Sequence, residues 1–389
     1  MDSFIENILP DGWIEITIGD SCEILDSLRK PISKKSRING EYPYYGATGI
    51  VDYINSYIFD ERLVLVGEDG AKWKSGDKTG FIAEGKFWVN NHAHVLRVNE
   101  DILIDEWLVS FLSLSDLSDY ITGTTVPKLN QAKLKSIKFP LPPREEQKRI
   151  VSKIDALFTE IDKAISLTEE SLKQVENLLP SVLNGIFRKG KAEGWEEKKL
   201  GEVCVVVGGG TPKTKIPEYW DGEIVWLSPT DLPPIGEISS VSDSRKKITD
   251  AGLNKSSAKL LPKGSVIYST RASIGKIAIA EIPLSTNQGF TNFICREGLS
   301  NHYLCYCLKH FNRTIENLSN STTFKEVSKS AMKEFEIPVP SMDKQNLIIN
   351  IANDVLLKSK QTQSKLESQL SWLKQLKFSV LNKAFKGEL

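Results

Sequence analysis

The stretch GWIEITIGDSC, residues 12–22, is repeated as GWEEKKLGEVC at residues 194–204. The glycine, the tryptophan, one glutamate, the second glycine and the cysteine recur at a constant offset without a gap, and Ile18 is matched by Leu200. Self-similarity over so long a distance indicates a duplicated domain, because the units of a solenoid contain only about 20–50 residues. The chain is therefore predicted to use one design twice.

Two further matches between the halves share a second, slightly larger offset. Residues 124–147 match residues 322–345, including a Pro-x-Pro step before the final glutamine of each segment. Residues 181–187 match residues 379–385, and both segments begin with Ser-Val-Leu-Asn. The matches lie at the edges of each half, which predicts two similar frames.

The composition is that of an ordinary globular protein. The chain has 389 residues, of which 40% are hydrophobic and 26% charged, and its 50 basic residues balance its 50 acidic ones. Zero net charge argues against a protein that coats nucleic acid by charge alone, although a local basic patch is compatible with it. The sequence has neither a bilayer-spanning apolar run of ~20 residues nor a signal-peptide pattern. With five irregularly spaced cysteines, we expect a cytoplasmic protein with reduced thiols and no membrane partner.

Two long helices are predicted from the spacing of apolar residues. Heptad-like patterns follow the proline-rich segments at 140–143 and 338–340. A helix of ~65 Å, at ~1.5 Å per residue, needs another long surface to cover its apolar stripe. We therefore expect an antiparallel pair, with two separate surface helices as the alternative. The predicted domains are residues 1–143, the helix 144–189, residues 190–340 and the helix 341–389.

Pro180 interrupts the symmetry of the two helical segments, since Phe378 occupies the corresponding place. Proline inside a helix removes a backbone hydrogen bond and costs about 3 kcal/mol. We expect the first helix to bend or break near residues 176–180 and the second helix to continue.

The middle segments 24–120 and 206–318 are much less alike than the frames, and are predicted to be mixed α/β inserts with many short strands. Several of their loops combine basic with aromatic residues. Such residues can position phosphates, and arginine or lysine can bond guanine in the major groove; each one could equally be an ordinary surface residue. The candidate DNA-binding residues are Lys30, Lys34, Lys35, Arg37, Tyr44, Tyr45, Lys72 and Lys74 in the first insert and Lys213, Lys215, Arg245, Lys246 and Arg271 in the second.

Catalytic motifs are absent from the sequence. The glycine-rich segment 208–213 lacks the spacing of a P-loop and is expected to form a tight turn. No zinc-protease, nucleophile-elbow or dinucleotide-binding pattern is present. We therefore expect no catalytic residue, no metal site and no cofactor on this chain.

The pattern most similar to a metal site is His-x-x-Cys-x-Cys-x-x-His at residues 302–310. Its spacing is not that of a zinc site. In the repeat, Cys305 and Cys307 correspond to Val109 and Phe111. The two thiols are therefore predicted to be small buried core groups.

A second histidine pair, His92 and His94, is interpreted in the same way. We align these residues with Gln288 and Phe290 of the second half, neither of which is a typical metal ligand. The pair is therefore not predicted to bind a metal.

At this level of detail the chain resembles the specificity subunits of type I restriction-modification enzymes. The resemblance covers essentially the whole chain, and although each motif is loose, their order and duplication are specific. The motifs are Leu9-Pro10-x-Gly12-Trp13 with its echo at Gly194-Trp195, Gly209-Gly210-Thr211-Pro212 with Pro217-Glu218-Tyr219-Trp220, the segments 87–96 and 285–290, the Pro-x-Pro-x-x-x-x-Gln entries that end at Gln147 and Gln345, and the two Ser-Val-Leu-Asn segments.

The resemblance implies two target recognition domains separated by two long antiparallel coiled-coil helices. Each domain would read one half of an asymmetric, interrupted site in double-stranded DNA, and the helices would set the spacer. The implied partners are two methylation subunits, which modify adenine with S-adenosylmethionine, and restriction subunits, which use ATP and Mg. Those cofactor sites are expected on the partners and not on this chain.

Two other functions remain open at the level of the sequence. A self-sufficient DNA-modifying enzyme would need an acidic metal cluster or an S-adenosylmethionine site, and neither is evident. A coiled-coil scaffold that does not bind DNA is disfavoured by the basic and aromatic loops of the inserts.

Overall fold

The computed structural model describes residues 9–123, 125–319 and 325–389. The threonine segments of the repeat, at Thr124 and at 322–324, lie outside these ranges. The chain divides into two compact units. Unit 1 comprises Met1–Glu170 with Leu366–Leu389, and unit 2 comprises Ser171–Lys365.

The strands of unit 1 are short and the helices, except one, contain few turns. The strands are β1 (Ile14–Thr17), β2 (Cys22–Ile24), β3 (Asn39–Gly46), β4 (Gly49–Ile54), β5 (Phe59–Asp60), β6 (Leu63–Gly67), β7 (Gly80–Ala83), β8 (Lys86–Val89), β9 (Ala93–Val98) and β10 (Lys138–Leu141). The α-helices are α1 (Ile18–Ser21), α2 (Asp105–Leu114), α3 (Gln131–Lys135) and α4 (Arg144–Ala192), and the 3-10 turns are Asp26–Leu28, Lys34–Ser36 and Ser118–Tyr120.

These strands form three sheets, in the orders β1-β10, β2-β9-β6-β7 and β4-β3-β8-β5. The central strand β6 reads LVLVG and is buried along its whole length. Because strand side chains alternate between faces, Val64 and Val66 pack into the core that contains the helices. Leu63 and Leu65 pack into a second core, which they share with Phe87 of β8. The unit is therefore layered, with β6 buried on both faces.

Unit 2 has a closely similar set of elements. The strands are β11 (Glu197–Lys199), β12 (Cys204–Gly208), β13 (Trp220–Leu227), β14 (Ile238–Val241), β15 (Lys247–Ile248), β16 (Val266–Ser269), β17 (Ile277–Ala280), β18 (Ser285–Thr286), β19 (Phe290–Cys295) and β20 (Glu336–Pro338). The α-helices are α5 (Leu200–Val203), α6 (Asp250–Asn254), α7 (Asn301–His310), α8 (Asn312–Glu316), α9 (Lys329–Glu334) and α10 (Met342–Ala384), and the 3-10 turns are Pro217–Tyr219 and Pro229–Asp231. The long helices α4 and α10 each contribute residues to both units.

The strand pairing of unit 2 repeats that of unit 1 throughout the dissimilar inserts. The sheets are β11-β20, β12-β19-β16-β17-β14 and β15-β13-β18. The register that pairs Cys22 with Val98 corresponds to the register that pairs Cys204 with Cys295. The parallel pair β3 and β8 corresponds to the parallel pair β13 and β18. The inserts therefore share one fold, with β5 as an additional edge strand in unit 1 and β14 as an additional edge strand in unit 2.

The two long helices pack against each other inside each unit. In unit 1, Ile150 and Ile154 of α4 share a core with Leu381 of α10 and with Phe385, which directly follows α10. In unit 2, the later part of α4 shares a core with the first turns of α10. Early residues of one helix thus meet late residues of the other, and the helices are antiparallel. The predicted mixed α/β fold with two long packed helices is confirmed. Within the described ranges, none of the helices combines the length and the hydropathy that a membrane span requires.

The break expected near Pro180 is wrong, because α4 is one continuous helix from Arg144 to Ala192. Proline removes one amide donor, which leaves the carbonyl of Glu176 without its helical partner. Pro180 is exposed, so water can satisfy that carbonyl. The neighbouring Leu179 and Leu183 are buried in the core of unit 2, and their packing holds the helix on both sides of the proline.

Matching glutamines attach each long helix to its own domain. Gln147 accepts a bond from the amide of Ile104 (3.0 Å) and donates to the carbonyls of Ile102 (2.7 Å) and Pro142 (2.9 Å). Gln345 makes the same three bonds, to Ser300, Gly298 and Pro340 at 2.9, 2.8 and 2.9 Å. Both side chains are completely buried. The Pro-x-Pro-x-x-x-x-Gln motif is thus explained by packing and hydrogen bonding.

Candidate nucleic-acid interface

In unit 2, the parallel strands β13 and β18 end side by side. The amide of Asn287 donates to the carbonyl of Leu227 (2.8 Å), which fixes the loop after β18 beside the loop after β13. The carboxyl ends of parallel strands commonly carry binding residues in α/β folds. The loops that follow, residues 228–232 and 287–289, bring polar side chains to this edge, which we call the unit 2 rim.

The glycine-rich segment 208–213 forms part of the unit 2 rim. A Cβ atom on Gly209 would lie 1.8 Å from the carbonyl oxygen of Asn287, and one on Gly210 would lie 2.3 Å from the amide nitrogen of Ala258. Only glycine permits so close an approach. The segment places Thr211 in hydrogen-bond contact with the exposed Gln288. Its glycines therefore serve close packing. The tight turn expected at residues 208–213 is wrong, because β12 continues to Gly208 and the first turn lies further along, where the amide of Ile216 donates to the carbonyl of Lys213.

Arg245 is anchored at the unit 2 rim by a buried carboxylate. Its Nε donates to Oδ1 of Asp231 (2.9 Å), and its Nη2 donates to the hydroxyl of Thr230. The side chain of Asp231 is 6% exposed, whereas that of Arg245 is 67% exposed. Burial raises the pKa of Asp231, but hydrogen bonds from Ser228 and Arg245 outweigh this and lower it. The carboxylate is therefore charged and holds an exposed guanidinium in place.

The loop that carries Asp231 is itself fixed. The ammonium of Lys276 donates to the carbonyls of Pro229 (2.7 Å) and Leu232 (3.0 Å). The hydroxyl and amide of Ser228 both donate to Asp231. The position of the arginine thus depends on a rigid turn.

Two other predicted residues meet at Trp220. Its indole donates to the carbonyl of Lys213 (3.3 Å), and the ammonium of Lys246 lies 5.5 Å from its ring centroid. The ring packs edge-on against Trp226 at 5.1 Å. Lys213 and Lys246 are exposed, as is the nearby Lys215. Of these three lysines, Lys246 is thus the one whose ammonium lies over the ring of Trp220.

Arg271 belongs to a contact that is present in both units. Its backbone pairs with Glu326, and the backbone of Asp69 pairs with Lys128 at the equivalent position of unit 1. The side chains of Arg271 and Glu326 form an ion pair at 3.4 Å. This arginine therefore contributes to the frame as well as to the surface.

In unit 1, the predicted cations fall into two separate places. Lys30, Lys34 and Lys35 are exposed on the loop before β3, whereas Lys72 and Lys74 are exposed on the loop between β6 and β7. The first loop is attached to the sheet through the indole of Trp88, which donates to the carbonyl of Lys30 (2.6 Å). The second lies beside the end of α2, where the hydroxyl of Ser75 donates to the carbonyl of Leu114.

The remaining candidates of unit 1 pack inward. Tyr44 is 1% exposed, and its hydroxyl accepts a bond from the amide of Ile32 (2.9 Å). Arg37 stacks over the ring of Tyr44 at 4.3 Å and is bonded to Asp52 (3.0 Å). Tyr45 packs edge-on against Phe87 of the core. These three side chains therefore pack around β3.

A buried cluster in unit 1 has the composition of a metal site. Single donor atoms of Asp26, Glu68 and His94 all lie within 4.8 Å of one another. However, Glu68 is bonded to Arg29 (2.5 Å) and to Lys128 (2.7 Å). The two ring nitrogens of His94 face Asp26 (2.6 Å) and the carbonyl of Leu129 (2.7 Å). Because these donors are engaged by cations and acceptors, the cluster is an internal ion-pair network.

Both carboxylates of this network keep their charge, because their partners lower the pKa of each. Burial raises the pKa of Asp26, but the hydrogen bond and charge of His94 outweigh that effect and lower it. Burial raises the pKa of Glu68 as well, and bonds from Lys128 and Arg29 lower it overall. The network joins the turn after β2, the end of β6, β9 and the segment before α3.

The strand registers correct our alignment of the histidines. His94 of β9 stands opposite Val66, and Thr291 of β19 stands opposite Tyr268 in the equivalent pairing. His94 therefore corresponds to Thr291 and His92 to Gly289, one residue away from the sequence alignment. The connection from β9 to α2 is one residue longer than that from β19 to α7, and this difference displaced the alignment.

The repeat alignment of the cysteines is confirmed. Cys305 and Cys307 are completely buried in the core of unit 2. The indole of Trp107 donates to the carbonyl of Pro140 (2.9 Å), and the hydroxyl of Tyr303 donates to that of Pro338 (2.8 Å). Burial raises the pKa of both thiols. They are protonated apolar groups, in agreement with the sequence analysis.

Sequence reasoning did not single out Asp231, Thr211 or Gln288 as part of this edge. Thr211 and Gln288 lie inside segments that resemble family motifs, which was the available signal, whereas Asp231 lies outside those segments. A search for basic residues overlooks the carboxylate that positions one of them.

Comparison with known proteins agrees with this architecture. Residues 10–177 and 192–371 both match the family described as type I restriction modification DNA specificity domain. The MjaIX specificity subunit of a type I restriction enzyme from Methanocaldococcus jannaschii is 37% identical over 181 residues, which are 46% of this chain and 42% of that protein. The putative type I restriction enzyme specificity subunit S.HindORF215P from Haemophilus influenzae is 27% identical, over 90% of this chain and 89% of that protein.

Two solved structures share the fold. A structure from work on complex assembly and conformational transition of the type I R-M system has a TM-score of 0.74 and 21% identity, and the match covers 98% of this chain and 100% of that one. The HsdS subunit from Thermoanaerobacter tengcongensis has a TM-score of 0.64 and 22% identity, with both chains fully covered. Because the family match includes both halves of the chain, the protein belongs to the type I restriction-modification DNA specificity family, whose members recognise DNA rather than catalyse its modification.

Proposed function

We propose that this chain recognises a bipartite, asymmetric site in double-stranded DNA, with one half-site read by each insert. The observation that carries the proposal is one strand framework used twice with different side chains at its rim. In unit 2 the rim holds Thr211, Gln288 and Arg245. The corresponding place in unit 1 holds His92, bonded to Asp69. Equal frames with unequal rims would read two different sequences.

The domains assigned to this task are residues 1–143 and 190–340, joined by the helices 144–189 and 341–389. The exposed lysines of both inserts, on the loops around Lys34, Lys72 and Lys213, are suited to phosphate contacts, because lysine acts as a mobile point charge. Phosphate contacts fix register and orientation, whereas contacts to base edges supply sequence preference. We assign the lysines to the first task and the fixed polar groups of the rims to the second.

The helical pair is proposed to set the spacer between the half-sites and to bind two methylation subunits and the restriction subunits. Each helix is long, about 74 Å for the 49 residues of α4 and about 65 Å for the 43 residues of α10. Similar frames allow two identical partners to bind one asymmetric chain. Methylation of a stacked adenine requires that the base be flipped out, a step that belongs to the partner that carries S-adenosylmethionine.

The proposal is tested by exchange of one insert. Residues 206–318 are replaced by the corresponding insert of a relative, and adenine methylation is mapped across the genome of cells that also express the methylation subunits. We expect one half-site to change while the other half-site and the spacer stay the same. A change in both halves would refute the assignment of one reader to each insert.

The role of the helices has a separate test. Removal of two turns from both α4 and α10 should shorten the spacer and leave both half-sequences intact. An unchanged spacer would show that the helices do not set it. The purified chain alone should neither methylate nor cleave DNA, and activity without partners would support a self-sufficient enzyme.

A further inference from the structure

We propose that Arg245 is the residue that reads a guanine in the half-site recognised by unit 2, and that Asp231 is its positioning residue. The inference rests on the proposed function and assigns one base contact within it. The predicted lysines are exposed, and Arg271 is paired at 3.4 Å with a glutamate that is itself half exposed. Arg245 differs from them, because its guanidinium is 67% exposed and is fixed by a carboxylate that is only 6% exposed.

The hydrogen-bond inventory leaves one edge of the guanidinium available. Arginine has five N–H donors. The bonds to Asp231 and Thr230 use Nε and one N–H of Nη2. Within the described residues, Nη1 has no hydrogen-bond partner. The Nη1 and Nη2 donors that remain form a pair, which matches the O6 and N7 acceptors of guanine in the major groove.

The charge of the pair favours a base over a phosphate. Asp231 is ionised, since hydrogen bonds from Ser228 and Arg245 favour its charged form. The Arg245–Asp231 pair therefore has no net charge, and its attraction to the phosphate backbone is weak at long range. Its directional donors are unaffected. An oriented donor pair without net charge discriminates between bases. Affinity for the phosphate backbone of the DNA then comes from the exposed lysines.

The turn that carries Asp231 holds the arginine in its orientation before DNA binds. Binding costs less conformational entropy when a side chain is already held in its bound orientation. Here Lys276 holds the turn through two carbonyls, the turn holds Asp231, and Asp231 holds the arginine. Among the predicted DNA-binding residues of unit 1, Arg37 is also held by a carboxylate, but it is only 18% exposed and is covered by Tyr44. The predicted DNA-binding residues of the two inserts thus differ in this feature, as expected if their half-sites differ.

The test uses the full-length chain in complex with its methylation subunits and a library of randomised duplex DNA. The bound fraction is sequenced for the wild type and for Arg245→Ala, Arg245→Lys and Asp231→Asn. We expect the wild type to select guanine at one position of one half-site. Arg245→Ala should relax that position by about tenfold or more, with every other position unchanged. Asp231→Asn should relax it partially.

Arg245→Lys separates base reading from phosphate contact. Lysine keeps the charge and loses the planar fork, so it should relax the guanine preference while total binding to the library stays close to that of the wild type. Arg97→Ala is the matched control, because Arg97 is also held by carboxylates and is 43% exposed. It should leave every base preference unchanged.

The outcomes are distinct. If the wild type selects no bipartite sequence, the proposed function is refuted and the inference with it. If the wild type selects one and Arg245→Ala changes no position, the inference alone is refuted. A uniform loss of binding to all sequences in Arg245→Ala, restored by lysine, would identify a phosphate contact and would also overturn it.

Discussion

Replacement of Gln147 by leucine should destabilise unit 1 by about 3 kcal/mol. The side chain is completely buried and makes three hydrogen bonds, at 2.7 to 3.0 Å. Leucine has a similar size, so little cavity forms. The change leaves one amide and two carbonyls without partners, and each buried group that loses its partner costs roughly 1 kcal/mol or more. The predicted loss is the sum of these three contributions.

Urea unfolding measures this loss of stability, and hydrogen exchange on the native protein locates it. Exchange should accelerate in α2 and in the first turns of α4, where Gln147 joins residues 102–104 to the helix. Gln345→Leu should have an equal effect in unit 2, near α7 and the start of α10, because it removes the same three bonds.

Two variants serve as controls for this argument. Gln147→Glu keeps the acceptor for Ile104 but places a second oxygen against two carbonyls, so it should be at least as damaging as leucine. Gln131→Leu removes an exposed glutamine with one long bond of 3.3 Å, and should change stability by less than about 0.5 kcal/mol. A loss below 1 kcal/mol for Gln147→Leu would refute the proposed attachment of the helix.

Three other perturbations have defined outcomes. Pro180→Ala should stabilise the chain by up to about 3 kcal/mol, measured as a higher Tm, because it restores an amide donor in a continuous helix; a lower Tm would contradict this. Glu68→Gln should destabilise unit 1 by about 2 kcal/mol, since the largely buried Arg29 loses one of its two carboxylate partners. In the wild type, the lowered pKa of Glu68 adds stability that is present above the unfolded value of about 4.3 and is lost as the pH falls through the folded-state pKa. The free energies of unfolding of the wild type and the variant should therefore converge as the pH is lowered. Replacement of Lys213, Lys215 and Lys246 by glutamine should reduce the salt dependence of DNA binding by up to about three in slope without altering sequence preference, and an unchanged slope would exclude them as phosphate contacts.

The frame was predictable because its residues are bound by the same contacts in both halves. Gln147 and Gln345 satisfy identical sets of backbone groups, so neither copy tolerates a different side chain easily. Trp107 and Tyr303 differ in type, yet both donate to the matching carbonyl. Where a contact needs a particular donor or acceptor, sequence identity persists and the repeat is visible.

The common fold of the inserts was not predictable in the same way. A buried strand requires only apolar side chains of suitable size, and many sequences satisfy that requirement. β6 and β16 occupy equivalent positions with the sequences LVLVG and VIYS. Their pairing registers agree although their residues do not. Strand topology is therefore retained after the sequence signal has disappeared.

The helix break expected at Pro180 illustrates the limit of a local rule. The ~3 kcal/mol penalty of an internal proline is smaller than the sum of the packing that surrounds it, since burial of one leucine side chain alone contributes about 1.5–3 kcal/mol. Leu179, Leu183 and Phe187 are all buried near the proline. Tertiary packing therefore keeps α4 continuous through Pro180, and this could not be predicted from the sequence of the helix alone.

The zero net charge of the chain agrees with the pairing of several of its arginines with carboxylates. Arg29, Arg37 and Arg245 are each held by at least one carboxylate. An arginine that is oriented by an acidic residue gains a defined direction at the cost of its net charge. A reader of base edges needs direction more than long-range attraction, because attraction to the backbone is equal for every sequence. Balanced charge is therefore consistent with a subunit that supplies discrimination, while unpaired lysines and the proposed partners supply most of the affinity for the backbone.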